Sequence, residues 1–89
     1  MRIEMKKFGT LLNSRPAGSE AASRLFQIIN GTNDNKIVID FDGVEILTPS
    51  FADEFLTQIE ERYSTAKTIK IINTNTKIVK ETLKAIGKN

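Results

Sequence analysis

Lys36 to Phe55, reading KIVIDFDGVEILTPSFADEF, constrains the fold more than any other stretch of the chain. Ile37, Val38 and Ile39 form a continuous run of strand formers, the pattern of a strand covered on both faces. Asp40-Phe41-Asp42-Gly43 supplies turn chemistry directly after it. Val44 to Leu47 is a second short apolar segment, and Thr48-Pro49-Ser50 then opens a helix. Proline suits the first helical position because its missing N–H would have had no partner there. Thr48 and Ser50 both read as N-cap residues, Ser50 with Asp53 three residues later as a capping box. Either assignment puts a hydroxyl at the positive end of a helix.

The flanking segments repeat the alternation of strand and helix. Met1 to Phe8 sets Ile3, Met5 and Lys7 against Arg2, Glu4 and Lys6, as a half-exposed edge strand does, and Gly9 ends it. Leu11-Leu12 begins a second short strand. Asn13 to Gly18 is a turn feeding a helix from Pro16 to Ile29, with Ala22, Leu25, Phe26 and Ile29 inward and Ala21 and Ile28 at the margins. The second helix runs from Ser50 to Tyr63. It turns Phe51, Ala52, Phe55, Leu56, Ile59 and Tyr63 inward and Asp53, Glu54, Gln58, Glu60 and Glu61 outward. Thr68 to Ile72 is a further strand. Thr76 to Ile86 is a last helix with Ile78, Val79, Leu83 and Ile86 inward and Gly87 as its C-cap. Strands and helices alternating at this spacing predict βαβ units. The expected fold is a small α/β domain over residues 1–89, with three helices on a four-stranded, largely parallel or mixed sheet.

Eighty-nine residues hold one modest core and leave no room for a second domain. Without cysteine or histidine the chain lacks the soft metal ligands, the thiol nucleophile and the usual general base, which excludes zinc chemistry and Ser-His-Asp catalysis. Apolar runs fall far short of the ~20 residues that span a bilayer, and the N-terminus carries lysines instead of a signal core, so the expected location is cytoplasmic. The net charge of +2 divides unevenly: +3 over residues 1–39, −7 over residues 40–61 with no basic group, and +6 over residues 62–89. The helix that begins near Ser50 is therefore strongly acidic.

The Asp40 to Ser50 pattern resembles the STAS family, the fold of bacterial anti-sigma factor antagonists. There a strand ending in Asp-Leu-x-Gly-Val leads through an apolar pair to Asp-Ser-Ser-Gly at a helix start. Asp40, Gly43 and Val44 match the strand end, and Ser50 falls on the family's phosphorylated serine. Thr48, Pro49 and Phe51 stand where the family has Asp, Ser and Gly. With the Asn13-Ser14-Arg15 segment ahead of the first helix, the whole is more similar to the STAS-like family of unknown function. The resemblance implies a non-enzymatic, regulatory protein-interaction module needing no cofactor. It also implies an anti-sigma-like ATPase kinase as partner and Ser50 as phosphoacceptor, Thr48 being the second choice.

The residues themselves allow plainer readings. Ser50 or Thr48 as a helix cap explains the hydroxyls without any kinase. Asp40, Asp42, Glu45 and Asp53 read as a solvated turn and helix start, since their spacing matches neither an EF-hand loop nor a catalytic pair. Lys67, Lys70, Lys77, Lys80 and Lys84 lack interleaved aromatics and read as a solvated face, so nucleic acid is not expected. The candidate partner-binding residues are Asp42, Asp53, Glu54, Gln58, Glu61 and Arg15. The alternative is a small-ligand- or nucleic-acid-binding domain that uses Arg15 and the basic C-terminal helix.

Overall fold

The computed structural model describes residues 1–63 and 65–87. Its strands are β1 (Arg2–Glu4), β2 (Leu11–Leu12), β3 (Lys36–Asp40), β4 (Ile46–Leu47) and β5 (Thr68–Ile72). Its helices are α1 (Arg15–Asn30), α2 (Pro49–Tyr63) and α3 (Lys77–Ala85), and a 3-10 turn occupies Met5–Phe8. All strand pairs are parallel, with the order β1-β3-β5 in one sheet and β2-β4 in a second. The expected single four-stranded sheet is thus replaced by five strands in two sheets. The same two chain segments pair twice, β1 with β3 and β2 with β4. Between the pairings each segment leaves the line of the first sheet, one at Met5–Gly9 and the other at the Asp42-Gly43 turn. Gly9 (φ 123°) and Gly43 (φ 83°) supply backbone conformations that other residues avoid.

The expected Met1 to Phe8 strand also stops early, for a reason visible in its side chains. A straight strand with Ile3 and Met5 inward would carry Lys7 inward too. The 3-10 turn instead places residues three apart on one side, so Met5 is fully buried and Phe8 meets Phe55 at a centroid distance of 6.3 Å. Lys6 and Lys7 remain exposed.

The central strand is covered on one face, not on both as its composition suggested. Ile37 and Ile39 are buried and Val38 is half-buried, while Lys36, Arg2, Thr68 and Lys70 are exposed on neighbouring positions of the open face. The core joins Ile3, Ile37, Ile39 and Phe41 to Ala21, Ala22, Leu25 and Ile29 of α1. All six residues expected on the inward face of α2 are buried, with Phe51 and Phe55 stacked at 5.9 Å. On α3, Val79 and Leu83 are buried but Ile78, expected inward, is exposed. Thr82 takes a buried position instead, its hydroxyl donating to the Leu47 carbonyl at 2.6 Å and fastening α3 to β4. Ile86 closes this helix and Gly87 follows it at φ 75°, the left-handed conformation a helix exit favours.

Helices α1 and α2 lie side by side and run in the same direction: Arg15 reaches Asp53 and Glu54, Ser19 meets Gln58, and Asn30 meets Tyr63. Gly18 sets their separation, because a Cβ at that position would lie 2.6 Å from the Phe51 carbonyl oxygen.

Two substitutions test this packing by urea unfolding. Phe55→Ala is expected to cost ~3–5 kcal/mol, as core aromatic truncations do. Gly18→Ala is expected to cost ~1–3 kcal/mol although alanine is the better helix former, because the added methyl must push two helices apart. A neutral or stabilising Gly18→Ala would contradict the close approach.

Candidate functional site at the start of the second helix

Thr48 is the cap of α2. Its Oγ1 accepts from the Phe51 amide at 3.4 Å and its carbonyl from the Ala52 amide at 3.0 Å. Pro49 is therefore the first helical residue and Ser50 the second, with an exposed side chain. The alternative capping box of Ser50 and Asp53 does not form. The proline decides between the two: if it occupies the first helical position, the cap must be the residue before it. Asp53 is engaged elsewhere, accepting from the Thr57 hydroxyl at 3.4 Å and from Arg15 Nη1 at 3.2 Å.

Arg15 stands at the start of α1, just after Ser14, whose Oγ caps that helix by accepting from the Ala17 amide at 3.1 Å. From there its guanidinium bridges Asp53 Oδ2 and Glu54 Oε1, each 3.2 Å away. The two carboxylates, Asp53 first, raise the guanidinium's already high pKa. Gln58 Nε2 continues the seam, donating to Ser19 Oγ at 3.1 Å and to Glu54. Asp53, Glu54 and Gln58, expected on the outward face of α2, are therefore half-buried along α1. Four of the candidate residues, Arg15, Asp53, Glu54 and Gln58, form one connected group. Glu61 is exposed further along α2, where it shares a shallow hollow with Gln58, Phe26 and Arg62. Asp42 lies apart, exposed in the turn after β3.

Sequence reasoning missed a second charged group. Asp40, expected in a solvated turn, is only 1% exposed. Its Oδ1 accepts from Asn73 Nδ2 at 2.7 Å and from the Asp42 amide at 2.9 Å, and Oδ2 accepts from Arg2 Nε at 2.8 Å. These bonds, Asn73's foremost, hold the carboxyl down to about 2 although burial pushes it the other way. Asn73 itself sits at φ 57°, an uncommon conformation that asparagine tolerates, just past the end of β5. Nothing local in the sequence announces partners 38 and 33 residues away.

Among the described residues no group of three or more carboxylates is placed to hold a metal ion. Nor is any described helix long and apolar enough to cross a membrane.

An α/β domain whose described residues form three helices and only parallel strand pairs, with a central strand that ends in Asp40 and leads through β4 to a hydroxyl-capped helix, is STAS-like in kind. Residues 21–79 match the family model described as the STAS-like domain of unknown function, and the chain belongs to that family. The match spans Asp40, Thr48 and Ser50 but begins after Arg15. Searches of curated proteins and of solved structures return no match.

The caps and the clasp make distinct predictions. Thr48→Ala should cost ~1 kcal/mol, whereas Ser50→Ala should stay within ~0.5 kcal/mol; equal costs would overturn the assignment of the cap. Because Asp40's folded pKa lies below the ordinary 3.8, its contribution is fully present above that value and is lost as pH falls towards about 2. Denaturant midpoints measured from pH 6 to pH 2 should therefore drop in the wild type. They should drop less in Asp40→Asn, which begins from lower stability. Parallel curves would show that Asp40 is not the group responsible.

Proposed function

We propose that this domain is a non-enzymatic interaction module that offers the first turns of α2 to a protein partner and is regulated by phosphorylation of Ser50. The observation that carries the reading is the placement of Ser50. It is exposed at the second position of α2, one helical turn ahead of the two carboxylates that Arg15 holds. Its register with the phosphorylated serine of the STAS fold supports the same choice. An ATPase kinase of the anti-sigma type is the partner that resemblance favours. The kinase would supply ATP; Ser50 Oγ would lose its proton and take the γ-phosphoryl group, and ADP would leave.

The new group would carry ~1.5–2 negative charges at a helix N-terminus, where exposed amides and the helix dipole favour an anion. Its neighbours Asp53 and Glu54 oppose it. Arg15 is the cation both sides can use, so a phosphate drawing Arg15 forward would loosen the seam and make this flank of α2 more acidic. A partner reading the surface through basic groups would be released. The alternative, ligand or nucleic-acid binding through Arg15 and the basic C-terminal helix, has less support because the Arg15 guanidinium already serves two carboxylates of its own chain.

Intact mass and peptide mapping of protein recovered from its native cell, or incubated with the candidate kinase and ATP, should place one phosphate on Ser50. Ser50→Asp should weaken partner binding by ~tenfold or more, and Ser50→Ala should leave it constitutive. An unmodified Ser50, with both variants binding like wild type, would end the switch reading. A steep loss of nucleic-acid affinity with salt would favour the alternative.

A further inference from the structure

Helix α1 ends at Asn30, and Gly31 follows it as the cap. A glycine in that place ordinarily answers a need for positive φ, but Gly31 sits at φ −88°. Space does not require it either, since a Cβ there would lie 3.6 Å from the Ile28 carbonyl oxygen, an ordinary van der Waals contact. What a side chain at this position would shield is the peptide nitrogen that follows Asn30, and Asn30-Gly31 is the only Asn-Gly pair in the chain. Both residues are exposed. The Asn30 side chain links the end of α1 to α2, its Oδ1 accepting from the Tyr63 hydroxyl at 3.3 Å. The Gly31 amide donates to the Ile28 carbonyl, also at 3.3 Å. Each bond is longer than such bonds usually are, so the Asn30 amide group and the nitrogen beside it are both lightly held.

The structure assigns Asn30 as a site of spontaneous deamidation that unfastens the C-terminal end of the seam between α1 and α2. The Gly31 nitrogen attacks Asn30 Cγ and gives up its proton; the bond from Cγ to Nδ2 breaks, and ammonia leaves with that proton as a cyclic imide closes. Water then opens the ring. Hydrolysis between the nitrogen and Cγ gives aspartate, whereas hydrolysis between the nitrogen and the main-chain carbonyl carbon gives isoaspartate, in which the chain runs through the former side chain. Either product brings a carboxylate to the negative end of the α1 dipole, and isoaspartate also displaces the oxygen that Tyr63 holds. Elsewhere from Asn13 to Asn75 each asparagine precedes a residue whose side chain crowds the attacking nitrogen, and Asn73 is further fixed by its 2.7 Å bond to Asp40. The site lies at the end of the seam opposite Arg15 and uses none of Thr48, Ser50, Asp53 or Glu54.

The test is incubation of the purified domain at neutral pH in water enriched in heavy oxygen, followed by peptide mapping. The peptide that contains Asn30 should lose ammonia, take up labelled oxygen and resolve into aspartate and isoaspartate forms, while the other asparagines stay intact over the same interval. Gly31→Ala, for which the fold has room, should slow the reaction ~tenfold or more because its Cβ shields the nitrogen. Tyr63→Phe should speed it ~2–10-fold, the worth of one ordinary hydrogen bond. The isolated deamidated fraction should unfold at a lower urea concentration than fresh protein and exchange amide protons faster over the last turn of α1. Asn30→Gln carried through the same incubation should keep its own urea midpoint. An intact Asn30, equal rates in wild type and Gly31→Ala, aspartate as the sole product, or no acceleration in Tyr63→Phe would each overturn the assignment. A deamidated fraction with the midpoint and exchange of fresh protein would overturn the release of the seam.

Discussion

The approach of α1 to α2 at Gly18 is the constraint from which the rest of this surface follows. Only a residue without a side chain lets the first helix lie against the Phe51 carbonyl. At that separation Arg15 reaches two carboxylates on the neighbouring helix, Ser19 reaches Gln58, and Phe26 packs edge-on to Tyr63 at 5.9 Å. A wider spacing would return Asp53 and Glu54 to water and turn α2 into the uninterrupted acidic face that its composition suggests. The charge of this flank is thus set by packing as much as by sequence. One arginine contributed from outside the acidic segment tempers it.

Much of the fold is legible in the chain because it depends on local periodicity. The inward residues of α2 follow from a 3.6-residue repeat that tertiary contacts reinforce, and Ser14, Thr48 and Thr76 stand at their helix starts as ordinary capping chemistry expects. Features that depend on distant pairing are not legible. A straight strand through Lys7 satisfies local alternation, and only the need to bring Phe8 to Phe55 selects the 3-10 turn. Ile78 has the composition and spacing of a core residue, yet Thr82 wins the buried position through its bond to the Leu47 carbonyl. Three consecutive apolar residues in β3 suggest two covered faces, but Ile37 and Ile39 alone turn into the core and Val38 is left half-buried on the other side.

The same distinction holds for the candidate site. The hydroxyl at the start of α2 and its register with a known phosphoacceptor can be read from eleven residues between Asp40 and Ser50. The partners of its acidic neighbours cannot, since Arg15 lies on another helix. Asp40 shows the limit most clearly: as part of a motif it marks a strand end, but its role in the folded chain is fixed by Arg2 and Asn73 together. A motif position therefore serves here as a structural clasp, while Ser50 stands exposed at the second position of α2.

That clasp has a consequence for how the chain assembles. Among the described residues every strand pair is parallel, so they offer no hairpin as a local nucleus, and each sheet contact must close a long crossover. Asp40 compounds the requirement, because it leaves water only when a residue 38 positions upstream and another 33 positions downstream have both arrived. A growing chain that has not yet released Asn73 from the ribosome would bury a carboxylate short of one of its hydrogen-bond partners. The domain is thereby biased to fold late and as a unit, after β5 emerges, and not progressively from its N-terminus.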